Sequence, residues 1–328
     1  MATQTHSDRA ANPRADGAES GVRHRTAMVD GLEIFYREAG PADAPTLVLL
    51  HGFPSASHQY TRLIERLSDA FHLLAPDYPG FGHSSAPISS TVGGSFDYTF
   101  DHLADVTEHF LSARGAEPFF VYVFDFGAPV GYRIATRHPE WIQGVIAQNG
   151  NAYTAGLGPN MQPAVKFWSD RDGMEGAIRG ALTLSATRAQ HLDGAADPER
   201  VDPDSWILDQ YWLEIPGRDQ VMLDLLYDYQ SNVALYPTWQ RWLREYQPPL
   251  LLPWGRNDTF FPEAGARAYL QDVPDAELHL LDGGHFVLDE YIGTVAGLIR
   301  DFITRHAGQT QTSSASPRER QPAHRRSH

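Results

Sequence analysis

Short apolar runs alternate with amphipathic stretches over the first half of the chain. The apolar runs predict strands near residues 25–29, 33–38, 46–50, 71–75, 119–124 and 141–148. Helical periodicity between them predicts helices near residues 58–68, 101–114 and 127–137. The pair Asp30 and Gly31 between the first two strands is typical of a hairpin turn. Strands that alternate with helices in this way indicate an α/β fold, with a mainly parallel sheet covered by helices on both faces.

The strand pattern stops after Gly150 and resumes with an apolar run at residues 250–252. The intervening stretch has helical periodicity and is rich in aromatic residues, namely Trp168, Trp206, Tyr211, Trp212, Tyr227, Tyr229, Tyr236, Trp239 and Trp242. We predict that residues 151–245 form a helical lid inserted into a core made of residues 23–150 and 246–306. Most of these aromatic side chains are expected to pack inside the lid. A lid of this kind excludes bulk water and supplies apolar walls for a substrate.

Small and polar residues dominate both ends of the chain, and we predict disordered tails over residues 1–22 and 307–328. The arginines near the C-terminus are compatible with an anchor to an anionic surface, but a solvated terminal tail is the expected state. No stretch reaches the roughly 18–20 consecutive apolar residues of a membrane span. The first residues also lack the apolar core of a signal peptide. We therefore expect a cytoplasmic protein without membrane contact.

Composition narrows the function further. The chain has 328 residues, 42% of them hydrophobic, which suffices for one large α/β domain with an inserted lid. Its formal net charge of −15 argues against a nucleic-acid partner, because the phosphates would repel it. With no cysteine, the chain has neither a disulfide framework nor a thiolate metal site. A small-molecule enzyme is the expected class, as a monomer or a homodimer.

The apolar run at 119–124 is followed by Asp125 and then by the small residues Gly127, Ala128 and Gly131. A strand, a sharp turn and a helix that begins with small residues form the context of a nucleophile elbow. Asp125 then takes the position of the nucleophile, where an aspartate is otherwise most often a helix N-cap. Val123 stands where the motif often has glycine, and its larger side chain crowds the turn.

A carboxylate nucleophile restricts the chemistry. Its reference pKa of about 4 leaves it ionised near neutral pH. Attack on an ester would produce an anhydride, whereas attack on an sp³ carbon that bears a leaving group gives an alkyl-enzyme ester. The residue at this position therefore points to epoxides or carbon–halogen bonds as substrates.

Three further motifs accompany Asp125. The apolar run at 47–50 leads into His51, Gly52, Phe53 and Pro54, a strand-end loop that commonly gives one N–H to an oxyanion hole. We assign the two oxyanion donors to the backbone N–H groups of Phe53 and Phe126. Residues 250–258 end in Asp258, and residues 278–286 place His285 in a loop after the last strand.

In this order the motifs resemble the α/β-hydrolases of the epoxide hydrolase and haloalkane dehalogenase branch, over roughly residues 24–306. The resemblance implies a mostly parallel eight-stranded sheet with a helical lid, and neither cofactor nor metal. It also implies Asp125 as nucleophile, His285 as base and Asp258 as the acid that orients the base. Asp282 is a rival acid, but it lies very close to His285 in sequence.

The lid residues decide between the two substrate classes. Epoxide hydrolases of this branch protonate the ring oxygen with lid tyrosines, and Tyr229 resembles one of them, while the second has no clear match. Trp168 is a candidate hydrogen-bond donor in its place. We assign Trp168, Tyr236 and His51 to substrate binding.

The leading hypothesis is an epoxide hydrolase that acts on a bulky apolar or aromatic epoxide. A haloalkane dehalogenase with the same triad is the alternative. Members of that class place a tryptophan directly after the nucleophile, where this chain has Phe126, and the arginine typical of fluoroacetate-type relatives is also absent there. A non-catalytic ligand-binding homologue is a further alternative, since a fold does not fix a function.

Overall fold

The computed structural model describes residues 21–308. Its strands are β1 (Arg23–Val29), β2 (Leu32–Ala39), β3 (Thr46–Leu50), β4 (His72–Pro76), β5 (Phe119–Phe124), β6 (Ile142–Gln148), β7 (Leu250–Gly255) and β8 (Glu277–Leu281). Its helices are α1 (Thr61–Leu67), α2 (Phe100–Arg114), α3 (Gly127–Arg137), α4 (Gln162–Ser169), α5 (Arg171–Gly180), α6 (Leu184–Leu192), α7 (Pro203–Leu213), α8 (Arg218–Tyr246), α9 (Glu263–Asp272) and α10 (Val287–His306). Of the tails predicted at residues 1–22 and 307–328, residues 1–20 and 309–328 lie outside the described residues.

The strands form one sheet in the order β1-β2-β4-β3-β5-β6-β7-β8. The pairs β1–β2 and β2–β4 are antiparallel, and each remaining neighbour pair is parallel. This confirms the mostly parallel eight-stranded sheet predicted from the motifs. Because the central strands are parallel, the loops after β3, β5, β7 and β8 open at the same edge of the sheet, where ligands of such folds bind.

Both faces of the sheet are buried, as the continuous apolar strands require. In β3, Val48 and Leu50 belong to one hydrophobic cluster and Leu47 and Leu49 to the other. The first cluster includes side chains of α2, α3, α8 and α9, and the second includes side chains of α1 and α10. Helices therefore cover the sheet on both sides.

Helices α4 to α8 lie between β6 and β7, in the stretch for which the sequence predicts a lid. We refer to residues 149–249 as the insertion. The largest helix of this segment, α8, packs against α2, α3, α4 and α5. It thereby connects the rest of the insertion to the helices that cover the sheet.

Candidate active site

Asp125 lies at the tight turn between β5 and α3. Its backbone adopts the left-handed region with φ 49°, a conformation that costs a non-glycine residue free energy and is concentrated at functional sites. The turn is possible because two glycines allow close approach. A Cβ atom on Gly52 would lie 2.4 Å from the Cβ of Asp125, and one on Gly127 would lie 2.2 Å from the carbonyl oxygen of Leu50.

Val123, the departure from the usual motif, is accommodated by glycines opposite it. A Cβ atom on Gly131 would lie 2.6 Å from Cγ1 of Val123, and one on Gly150 would lie 3.2 Å from the Val123 carbonyl oxygen. The space that the motif usually obtains from a glycine before the nucleophile is supplied here by its neighbours. The elbow geometry therefore survives the substitution.

The two oxygens of the Asp125 carboxylate have different surroundings. Oδ1 accepts hydrogen bonds from the backbone N–H groups of Phe53 and Phe126, each at 2.6 Å. Oδ2 lies 3.7 Å from Nε2 of His285 and accepts no hydrogen bond from the described residues. One oxygen is thus fixed in a two-donor pocket, and the other is available to react.

Burial raises the pKa of the Asp125 carboxyl to about 6, against the opposing effects of His285 and of the two N–H donors. The pKa is higher than the reference value used for the sequence because the group is removed from water. Asp125 still carries its charge at neutral pH. A desolvated carboxylate is also a more reactive nucleophile than a hydrated one.

His285 is held by a carboxylate behind it. Its Nδ1 lies 2.8 Å from Oδ2 of Asp258. The same Oδ2 accepts a hydrogen bond of 2.7 Å from the side chain of Asn149, and Oδ1 of Asp258 accepts one of 2.7 Å from the N–H of Phe260. Asp258 is therefore fixed on both oxygens and favours the Nδ1–H tautomer of His285, which leaves Nε2 facing Asp125.

The rival acid lies elsewhere. Oδ1 of Asp282 accepts a hydrogen bond of 3.0 Å from the side chain of Asn257 at an exposed turn.

Burial lowers the pKa of the His285 imidazole, but the Asp258 carboxylate and, after it, Asp125 raise it above its ordinary value. Esterification of Asp125 would remove one of these charges and favour the neutral, basic imidazole.

The carboxylate and the imidazole open into a cavity of about 280 Å³. Its wall is mostly apolar and includes Phe53, Phe126, Met161, Ala164, Ile178, Ala186, Ala189, Leu226, Phe260 and Phe261. Besides Asp125 and His285, its polar side chains are Tyr229, Asn160, Gln190 and Asp193. Most of this wall comes from the insertion, as expected for a segment that encloses a substrate.

Tyr229 is the one phenol among the residues that line this cavity. Its side chain is fully buried, and its hydroxyl makes no hydrogen bond of good geometry among the described residues, but it lies near enough to the hydroxyl of Tyr236 for a weak one. Tyr236 in turn accepts a hydrogen bond of 3.1 Å from the Asn151 side chain. Burial raises the pKa of Tyr229 well above its ordinary value, so the phenol keeps its proton at neutral pH.

Three residues assigned to substrate binding do not line the cavity. The indole N–H of Trp168 donates to the carbonyl oxygen of Leu226 at 2.9 Å, and its ring stacks on Tyr229. Tyr236 lies behind Tyr229, as described above. His51 is fully buried and accepts a hydrogen bond of 3.3 Å from the Tyr78 N–H. These side chains support the cavity from outside because their polar atoms are used within the protein.

Sequence reasoning missed Asn149 and Gln190. Asn149 could have been found from the strand pattern, because it is the polar residue directly after the sixth predicted strand. Asn149 also accepts a hydrogen bond of 2.9 Å from the Gly255 N–H, which ties the ends of β6 and β7 together. Gln190 carried no motif signal.

Within residues 21–308, no group of three or more His, Cys, Asp or Glu side chains is arranged to hold a metal ion. None of the helices in that range is both long and apolar enough to cross a membrane.

Comparison with known proteins agrees with this architecture. A family model described as the alpha/beta hydrolase fold matches residues 45–291. The uncharacterized hydrolase YNR064C of Saccharomyces cerevisiae is 37% identical over 278 residues, which cover 83% of this chain and 94% of that protein. A haloalkane dehalogenase of Psychrobacter cryohalolentis is 34% identical over 281 residues, which cover 83% and 88%.

Solved structures share the fold at lower identity. The haloalkane dehalogenase DatA from Agrobacterium tumefaciens superposes with a TM-score of 0.71 at 21% identity, covering 87% of this chain and 97% of that one. Wild-type Cfl2 from Burkholderia cenocepacia gives a TM-score of 0.72 at 23% identity, covering 86% and 96%.

Proposed function

Since the chain belongs to the α/β-hydrolase family, we propose that this hydrolase opens an epoxide to a vicinal diol through a covalent ester on Asp125. Oδ2 of Asp125 attacks a ring carbon from the side opposite the carbon–oxygen bond that breaks. The ring oxygen takes the proton of the Tyr229 hydroxyl as its charge develops. The product of this step is a hydroxyalkyl ester of Asp125 and a Tyr229 phenolate.

Hydrolysis of the ester then uses the other half of the site. His285 takes a proton from water, and the hydroxide attacks Cγ of Asp125. The ester carbonyl oxygen is the former Oδ1, which already accepts two N–H hydrogen bonds where negative charge will build up. The diol leaves with the proton from His285, and the new carboxyl group returns its own proton to Tyr229 through water in the cavity.

The Tyr229 hydroxyl is the observation that favours an epoxide over a halide as the substrate. An epoxide gives an alkoxide, a strong base that gains from a proton donor, and Tyr229 lines the cavity with a hydroxyl that has no regular partner among the described residues. A departing halide needs hydrogen-bond donors alone. The side chains of Phe53 and Phe126 beside the nucleophile supply none, and the Trp168 indole is already bonded to Leu226.

A haloalkane dehalogenase is the second candidate, and the similarity to the Psychrobacter cryohalolentis enzyme favours it. The nucleophile, base and acid would serve the same roles, with Tyr229 or Gln190 as the donor to the halide. The third possibility, a ligand-binding protein without activity, is not supported by a triad in which Asp258 is fixed on both oxygens, because binding alone requires no such arrangement.

The test is a trapping experiment with His285→Gln, whose amide does not accept the proton of water. Incubation with a panel of epoxides should leave a substrate-sized adduct on the intact protein, and peptide mapping should assign it to Asp125. Asp125→Asn with the same substrates is the matched control and should form none. If chloro- or bromoalkanes form the adduct and release halide while every epoxide fails, the dehalogenase is the correct assignment.

A further inference from the structure

The cavity wall contains one amide that the proposed mechanism does not use. Gln190 lies in α6, its side chain is only 6% exposed, and it lines the cavity with Asp125, His285 and Tyr229. Within residues 21–308 its amide makes no hydrogen bond. The other side-chain amide of the wall differs, because Asn160 donates to Oγ1 of Thr259 at 2.8 Å.

The amide of Gln190 is open to the cavity and can bond to what enters it. Since none of the described residues supplies it with a partner, a polar group of a ligand can take that place. The neighbouring wall residues of α6 are Ala186 and Ala189, whose small side chains leave room beside the amide. The space next to Gln190 is therefore part of the volume available to a substrate.

The orientation of α6 is fixed by its other side. Both ring nitrogens of His191 are bonded to carboxylates, to Asp209 at 2.9 Å and to Asp289 at 3.0 Å. Oγ1 of Thr187 donates to the Gln210 side chain at 2.7 Å. Because successive helical residues have fixed angular offsets, these contacts hold Gln190 towards the cavity. The helix thus places Gln190 at the cavity before a substrate arrives.

We propose that Gln190 is a specificity-determining residue that recognises a neutral hydroxyl group on the epoxide substrate, away from the reacting carbons. A hydroxyl both donates and accepts, which matches the oxygen and the NH₂ of one amide. Asp193, the residue that ends α6, also borders the cavity, and a negative charge at this border disfavours an anionic substituent. This inference rests on the proposed function and narrows it from apolar epoxides to hydroxylated ones.

The experiment compares matched substrates: a terminal epoxide with a hydroxyl at the far end of its chain, the same epoxide without the hydroxyl, and the same chain ending in a carboxylate. The wild-type enzyme should give the highest kcat/KM with the hydroxylated compound and the lowest with the carboxylate. Gln190→Leu should lower the ratio of kcat/KM between the hydroxylated and deoxy compounds by about 10–100-fold, since its side chain has similar size but no polar atom. Gln190→Asn should restore part of the ratio.

Two outcomes overturn the inference while leaving epoxide hydrolysis intact. A ratio that does not change in Gln190→Leu, with both substrates slowed equally, would mean that the amide acts on the leaving oxygen or on water. A wild-type enzyme without preference for the hydroxylated epoxide would mean that the amide recognises nothing on the substrate. Asp193→Asn is the control for charge and should raise turnover of the carboxylate compound alone.

A binding measurement keeps the inference separate from the proposed function. The diols expected from the hydroxylated and deoxy epoxides are titrated by calorimetry into Asp125→Asn, with and without Gln190→Leu. Weaker binding of the hydroxylated diol in the double variant supports recognition by Gln190 even if no epoxide is turned over. Equal binding of the two diols in both proteins would contradict it.

Discussion

Two buried histidine–aspartate pairs lie on either side of Phe286, and the same residue types perform different tasks in them. The ring of Phe286 stacks on His191 at 3.8 Å between centroids and contacts His285 at 5.3 Å. His285 has a carboxylate hydrogen-bonded at Nδ1 only, so its Nε2 faces the cavity and the nucleophile. His191 has a carboxylate at each nitrogen, from Asp209 and Asp289.

The number of carboxylate partners determines how strongly the pKa of each histidine is raised. Burial lowers the pKa of His191, but its hydrogen bonds with Asp209 and Asp289 outweigh burial and raise the pKa to about 9. His191 is therefore a cation at neutral pH with no free nitrogen, which makes it an ionic link between α6, α7 and α10. His285 keeps one nitrogen free and can accept a proton. A buried histidine can therefore accept a proton only where one ring nitrogen has no carboxylate partner, whatever the other nitrogen binds.

The largest expected effect separates the two histidines by activity. We predict that His285→Gln lowers kcat by about 10⁴-fold or more, since the triad acts as a unit. The matched variant His191→Gln should retain kcat within a few-fold at a temperature where it is folded. Steady-state kinetics on an epoxide without a further hydroxyl group, whose turnover does not depend on Gln190, would check both. Comparable losses of kcat in the two folded variants would contradict the distinction between the histidines.

The next effect concerns Tyr229, the proposed proton donor. Tyr229→Phe should lower kcat on an epoxide by about 10²–10⁴-fold, because the ring oxygen loses its acid. Single-turnover kinetics should show slower ester formation and nearly unchanged ester hydrolysis. Tyr227→Phe, on the same helix and outside the wall of the cavity, is the control. Unchanged epoxide turnover in Tyr229→Phe would remove the basis for preferring an epoxide over a halide.

Stability should separate the two histidines in the opposite order, with the larger loss caused by the change at His191. His191→Gln should lower the free energy of unfolding by about 1–3 kcal/mol, because the buried carboxylate of Asp209 loses one of its two histidine partners and Asp289 loses its ion pair. Urea unfolding followed by tryptophan fluorescence measures this. A loss below about 1 kcal/mol would mean that the His191 network does not link the insertion to α10.

The smallest expected effect is the pH dependence of the stabilisation by His191. The folded pKa of His191, about 9, exceeds the unfolded value of about 6.5, so its stabilisation is complete below about pH 6.5 and is lost as pH rises through about 9. The difference in unfolding free energy between wild type and His191→Gln should therefore shrink between pH 7 and pH 10. A difference that stays constant over this range would contradict a cationic His191.

The order of the triad was predictable because each member follows a strand, and parallel strands bring these loops to one edge. The sheet, which the structure confirms, was predictable from the apolar runs, because such runs are typical of buried parallel strands. Tyr236 is seven residues after Tyr229, a spacing that places both on one helical face, yet its position behind Tyr229 depends on Asn151 from another element.

Other features had no local signal. The bond from the Trp168 indole to the Leu226 carbonyl depends on how α4 meets α8, which no short motif encodes. His191 was one of fifteen histidines, and its role depends on carboxylates contributed by two other helices. Asn149 differs from them, because it directly follows a predicted strand, but its hydrogen bond to Asp258 is visible only in the structure.

The central claim is that Oδ2 of Asp125 attacks carbon and that water later attacks Cγ. A single turnover in H₂¹⁸O, with enzyme in excess over epoxide, tests it directly. The claim predicts that the diol of this turnover contains no ¹⁸O and that the peptide containing Asp125 gains one heavy oxygen. A diol that carries ¹⁸O in the first turnover, with an unlabelled Asp125 peptide, would mean that water attacks the substrate itself and would contradict the covalent mechanism.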